Sequence, residues 1–248
     1  YYSLTSWRNF SVKQTFIGLD NYQRLLEDPV IGIAIRNTFI MMVGVFIFQI
    51  GVALLLALLV ASTKKMFKIL RTTYFIPILM FKLIYGYEYG LLNIVLELFG
   101  KEKQVWLNED TSIFLVSIPV MWQYVGFYFV IFLTGMSKIS PDIYESAELD
   151  GIRPWQKAVY ITIPMMRDVL ASAVVLVISG CFKVFDMVYV ITNGGPMNSS
   201  QLLSTYMYSM AFEKYNGGYA SAIAVLMILL GILVTVVLRR VTEPPRDN

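Results

Sequence analysis

PDIYESAELDGIRPWQKAVYITIP, residues Pro141 to Pro164, is the stretch on which the reading of this chain turns. Apolar segments long enough to cross a bilayer lie on both sides of it. Pro141 and Asp142 can start a helix. Glu145 and Glu148 follow three residues apart, on one face and near the N-terminal end, where the helix dipole favours acids. Asp150 then precedes Gly151, which accepts the left-handed backbone angles that close a helix. Arg153 and Lys157 bring positive charge before the chain turns apolar again. The prediction is a short amphipathic helix, held outside the lipid and presented to something soluble.

Composition fixes the surroundings. Hydrophobic residues make up 57% of the 248 and charged residues only 15%, against about 25% charged in a soluble domain. This is an integral membrane protein. There is no His, and Cys181 is the single cysteine. Disulfides within the chain are excluded, while zinc sites and nucleophilic triads lose their commonest ligands and bases. No phosphate loop of the form Gly-x-x-x-x-Gly-Lys followed by Ser or Thr occurs. No catalytic residue, bound metal, cofactor or nucleic acid is expected of this chain.

A helix needs about 20 apolar residues to cross the hydrocarbon core. Thr38–Ala61, Tyr74–Leu92, Ser112–Met136, Val169–Val190 and Ala220–Leu238 meet that requirement. The second stretch contains Pro77, Lys82 and Glu88. The two charges are six apart, too far for an intrahelical pair, and are expected to snorkel to the outer boundary. In the fourth, Lys183 and Asp186 are three apart, hence adjacent on one face and able to neutralise each other. Basic residues gather in Ser62–Arg71 (Lys64, Lys65, Lys68, Arg71), in the central loop with Lys138, Arg153, Lys157 and Arg167, and at Arg239-Arg240. The positive-inside rule places these in the cytoplasm. Asn93–Thr111 is slightly acidic and fits the outside, as does 191–218, where Gly194-Gly195-Pro196 is turn chemistry. Residues 1–36, with Tyr1, Tyr2 and Trp7, read as the outer end of a first span followed by an external segment. Residues 37–240 form the transmembrane domain, and 241–248, with Glu243-Pro244-Pro245, a frayed cytoplasmic tail. The expected fold is an all-α transmembrane bundle with five visible spans.

At particular residues the chain resembles a known family. Glu145-Ser146-Ala147, Gly151 six residues after the glutamate, and Ile161-Thr162-Ile163-Pro164 resemble the EAA loop of binding-protein-dependent ABC importer permeases. FDMVYVITNGGP (Phe185–Pro196), with Leu203, Ala211-Phe212 and Gly218-Tyr219-Ala220 beyond it, is similar to the matching region of MalF-like carbohydrate-uptake permeases. Phe16–Tyr22 through Asn37-Thr38 resembles the segment after their first span. Ser146 stands where a second Ala is typical, and is small enough for a tight docking face. The resemblance implies a type I importer bundle with one further N-terminal span ahead of the five. It implies that loop 139–164 is the coupling helix that sits in a cleft on an ATPase subunit, through Glu145, Ser146, Ala147, Asp150, Gly151 and Pro164. It further implies a multi-pass place in the bacterial inner membrane. The implied partners are a second, related permease chain, two ATP-binding subunits that hold ATP and Mg, an external solute-binding protein and a carbohydrate.

Gln123, Tyr124 and Phe127, with Ser179, Gly180 and Lys183, align with positions that line the cavity in the family's sugar-binding member. Tyr124 and Phe127 also read as core or lipid-facing aromatics, and Lys183 as half of a structural pair. Gly126 and Gly135 are expected to let helices approach closely. Two other functions fit the same residues. One is a permease for a phosphorylated polyol such as glycerol phosphate, with Lys183 or Lys82 facing the anion. The other is a scaffold or sensor subunit that docks a soluble partner without transporting.

Overall fold

Asp28-Pro29 starts the longest helix. A proline in the first helical position gives up no hydrogen bond, and Asp28 Oδ1 accepts from the Val30 N–H at 2.9 Å. In this computed structural model the described residues are 1–9, 11–61 and 78–242. In chain order they form strands β1 (Thr5–Ser6) and β2 (Thr15–Phe16), paired antiparallel, then α1 (Asp20–Glu27) and α2 (Pro29–Ala61). There follow α3 (Ile78–Ile84), α4 (Leu91–Leu98), α5 (Ser112–Gln123), α6 (Val125–Met136) and α7 (Pro141–Leu149). A wound connector from Pro154 to Met165 leads to α8 (Arg167–Cys181), α9 (Asp186–Ile191), α10 (Leu203–Tyr208) and α11 (Gly217–Thr242).

α2 is the axis. It is apolar all round, so no face of it prefers water, and it packs along α5, α6 and α8. Met41 and Val45 of α2 meet Val116, Val120, Val125 and Phe132 in one core. α11 lies against α8 and α10 and buries little of itself, with Ile228, Leu229, Ile232 and Leu233 exposed. A second, smaller core of Leu25, Ile31, Ala34, Leu203, Tyr206, Tyr219 and Ile223 closes the outer end.

Among the described residues, Pro29–Val60, Arg167–Ile191 and Gly217–Leu238 are long and apolar enough to cross a membrane. Ser112–Gln123 and Val125–Met136 make a fourth crossing if the bent pair is one span, with a 40° bend at Tyr124. The sequence suggested one unbroken helix there. Pro119 removes an N–H, and the Tyr85 hydroxyl donates to the carbonyl so released, Leu115 O, at 3.0 Å. At the bend the Tyr124 N–H turns to Trp122 O. The abandoned Val120 carbonyl accepts from the buried amide of Gln49 at 2.8 Å. Inside hydrocarbon an unfilled backbone group costs several kcal/mol, so these two side chains make the break tolerable.

The stretch Tyr74–Leu92 departs further from expectation. Its described part is helical only to Ile84, then turns through Gly86 and Gly90 into α4, which occupies what was read as an irregular polar loop. Lys103 lies 3.7 Å from Glu88 and 3.5 Å from Glu97, so Glu88 is held by Lys103 and not by Lys82. Among the described residues, the helix that carries the Thr38–Ala61 stretch already starts at Pro29, and α11 runs on to Thr242. Tyr2–Leu4 is a single 3-10 turn beside β1. The basic loop Ser62–Arg71, the start of the second stretch with Pro77, and the tail residues 243–248 lie outside the described residues.

At the outer end, loop and bundle are stitched together. Asn37 donates to Ser199 O at 2.8 Å and Gln201 O at 3.0 Å. Tyr206 and Tyr219 both donate to Asp28 Oδ2, at 2.6 and 2.7 Å. Burial works against the charge on Asp28, but the two hydroxyls, the Val30 N–H and nearby Arg24 outweigh it and hold the carboxyl below its ordinary range.

A candidate docking helix and a membrane cavity

The central loop folds as the local signals require. Pro141 takes the first position of α7 and Asp142 the first turn, where an acid is favoured. At the other end Gly151 adopts φ +71°. The Gly151 N–H donates to Glu148 O at 3.1 Å and the Ile152 N–H to Ala147 O at 3.0 Å. This is a Schellman cap, with two terminal carbonyls satisfied and glycine in the left-handed position.

α7 touches the rest of the chain along one edge. Ala147 is buried and Ile143 and Tyr144 are half-buried, while Glu145, Ser146, Glu148, Leu149 and Asp150 face outward. Leu149 is 89% exposed, an unusual degree for a leucine at the end of an ordered helix. The expected docking residues therefore divide. Glu145, Ser146, Asp150 and Gly151 are on the open side; Ala147 is the foot on which the helix stands. Pro164 is exposed too, but at the far end of the connector, after a π-helical turn over Ala158–Thr162. Glu148 is not near the helix N-terminus as its spacing suggested. It occupies the last turn, and Lys157 Nζ meets its Oε1 at 2.6 Å.

A cavity of about 350 Å³ opens between α2, the bend of α5 and α6, and α8. Gln123, Tyr124, Phe127, Gly180 and Lys183 line it together. Tyr124 and Phe127 are about half exposed, so their rings face open space instead of the core. Ser179 does not join them. It lines a separate groove of about 460 Å³ between α8 and α11, which Lys183 also borders. Of the two readings open for Lys183, the pairing with Asp186 is not formed. α8 ends at Cys181, and the turn that follows takes both residues out of helical register, so among the described residues no ion pair joins them. Asp186 lines the cavity itself. The signal for it was present, since an ionisable group at membrane depth needs an aqueous or polar setting. Gly135 fulfils its expected role, for a Cβ there would lie 3.1–3.3 Å from Met166 and Val169.

A helical membrane bundle with an open cavity in it and a polar helix held clear of it belongs to the class of transport subunits. The profile of the family described as the binding-protein-dependent transport system inner membrane component matches residues 35–245. The chain is 36% identical over 243 residues to the probable ABC transporter permease protein YurN of Bacillus subtilis (strain 168), covering 93% of this chain and 83% of that protein. It is 31% identical over 235 residues to the arabinooligosaccharides transport system permease protein AraP of the same organism, covering 90% and 75%. Its structure matches that of a bacterial ABC transporter involved in the import of the acidic polysaccharide alginate with a TM-score of 0.83 at 22% identity, covering 95% of this chain and 86% of that one. The chain belongs to the family of binding-protein-dependent transport system inner membrane components. It is a multi-pass, non-enzymatic permease subunit with the type I importer fold.

Proposed function

We propose that this permease imports a sugar or oligosaccharide delivered by an external solute-binding protein, in an assembly powered by two ATP-binding subunits. A second, related permease chain completes the pathway. α7 is the element that seats in the ATPase subunit, with Glu145 at its centre. Closure of the ATP-binding pair on ATP moves the two docked helices together and turns the bundle from inward-facing to outward-facing.

One observation carries this reading: a single run of chain, Pro141 to Asp186, holds both the outward-facing acidic helix and a wall of the cavity. The cavity suits a sugar, which needs aromatic faces for its C–H groups and a few polar groups for its hydroxyls. Tyr124 and Phe127 supply the former, Gln123 and Asp186 the latter. Relatives described as permeases for arabinooligosaccharides and for lactose favour the same substrate class. An anionic solute such as a polyol phosphate is the second reading. Lys183 on the cavity wall, with no ion pair to Asp186, is the observation in its favour.

The test is solute-stimulated ATPase activity of the complex reconstituted with its binding protein, wild type against Glu145→Lys, over neutral oligosaccharides and sugar phosphates. Stimulation by a neutral oligosaccharide in the wild type, lost in the variant, is the expected result. Stimulation by phosphates alone, abolished by Lys183→Met, moves the reading to an anion. An assembled complex that none of these solutes stimulates would leave a docking scaffold as the better account.

A further inference from the structure

We infer that Lys157 is a positioning residue for coupling: its bridge to Glu148 locks α7 to the connector that drives α8. The inference rests on α7 being the docking element and adds to it the part that makes the docked helix rigid. α7 buries only Ala147, so packing alone holds it weakly. Three contacts cross the crease between α7 and the connector. The first is the Schellman cap at Gly151. The second is Lys157 Nζ, 2.6 Å from Glu148 Oε1 and 5.6 Å from the centre of the Tyr144 ring. The third is the Tyr144 hydroxyl, 3.2 Å from Thr162 Oγ1.

Glu148 and Lys157 are nine residues apart and lie on opposite sides of the turn, so their bridge closes the angle between the two segments. Glu148 sits in the last turn of α7, where the dipole opposes a negative charge. Lys157 removes that conflict, and the tyrosine face adds a second attraction for the ammonium. Lys157 is the more enclosed partner, its side chain 21% exposed against 68% for Glu148. It is shaped to serve the fold from within the crease. Downstream of Lys157 the chain passes through the connector into α8, whose Leu176, Val177 and Gly180 line the cavity. A push on α7 reaches α8 as displacement only if the angle at Gly151 is stiff. With the bridge cut, part of the stroke is spent in bending the crease.

The readout is solute transported per ATP hydrolysed, measured on the reconstituted full complex. Lys157→Ala and Glu148→Ala are each expected to lower that ratio about two- to fivefold, the range that a partly exposed ion pair supplies. The double alanine variant is expected to fall no further than either single one, because both remove the same contact. The charge swap Glu148→Lys with Lys157→Glu is expected to recover at least half of what Glu148→Lys alone loses. A wild-type ratio in Lys157→Ala, or additive losses in the double variant, overturns the inference. A swap no better than Glu148→Lys alone does the same, since it shows Glu148 acting on a partner subunit directly. If Glu145→Lys leaves assembly and transport intact, the docking reading fails as well, and that result is separable from the ones above.

Discussion

Replacing Gly151 tests the closure of α7 with a magnitude that can be worked out beforehand. A Cβ at this position meets nothing within 4 Å, so no clash contributes. The whole cost comes from φ +71°. An L-residue in the left-handed region costs about 1–2 kcal/mol. The reduced freedom of the unfolded chain returns about 0.4–1 kcal/mol of that for Gly→Ala, leaving a net penalty on the order of 1 kcal/mol. This shifts the capped geometry of α7 against uncapped ones roughly five- to tenfold. Asn tolerates the left-handed region better than Ala, and a β-branched residue tolerates it least. The expected order of coupled transport is therefore Gly above Gly151→Asn, above Gly151→Ala, above Gly151→Val. Transport and ATP hydrolysis would be followed in proteoliposomes holding the full complex, with thermal melting of the detergent-purified complex as the control. The melting temperature should change little, because the strain is confined to one exposed turn. Equal transport by the Ala and Asn variants, in complexes that assemble normally, would refute a cap set by backbone angle.

Three further outcomes are expected. Gln49→Leu leaves Val120 O without its donor and should cost about 1–3 kcal/mol, read as a lower melting temperature, whereas Gln49→Glu, if it is neutral at depth, should cost less. Gly194→Ala should lower the melting temperature, chiefly because φ there is +82°, and a Cβ would also displace the end of the Gln201 side chain; Gly180→Ala, open on the cavity side, should leave the melting temperature unchanged and alter apparent solute affinity instead. Asp28, whose folded carboxyl lies below its ordinary range, contributes fully above the ordinary carboxylate value of about 3.9 and loses its contribution as pH falls through the lowered folded value. Asp28→Asn should therefore lower melting at neutral pH and flatten its dependence below about pH 4.

What could be read from sequence was what local chemistry decides. Pro141, Asp142 and Gly151 act within a turn of where they stand, so α7 and its limits were legible. Resemblance singled out Gln123, Tyr124, Phe127, Gly180 and Lys183, which line one cavity, and Ser179, which faces a separate groove along α8. The failures share one cause. Apolar length and residue spacing assume an unbroken helix, and three breaks violated that assumption. Tyr85–Gly90 interrupts the second stretch, where Gly86 and Gly90 were the overlooked signal. The bend at Tyr124 depends on donors from Tyr85 and Gln49, residues 30 and 71 positions away from the carbonyls they reach. The turn after Cys181 parts Lys183 from Asp186, which a spacing of three had paired.

The bend between α5 and α6 has a mechanical consequence. A proline break whose spare carbonyls meet water can open and close, since solvent follows the motion. Here both are closed from other segments, by the phenol of Tyr85 beyond α3 and by the amide of Gln49 within α2. Flexing the elbow would break those bonds at membrane depth, where each backbone group left unfilled costs several kcal/mol. The two bonds brace the elbow against α2 and against the turn that follows α3. Two of the cavity's walls flank the exposed helix in the chain: α6 leads into it across 137–140, and α8 follows it through the connector.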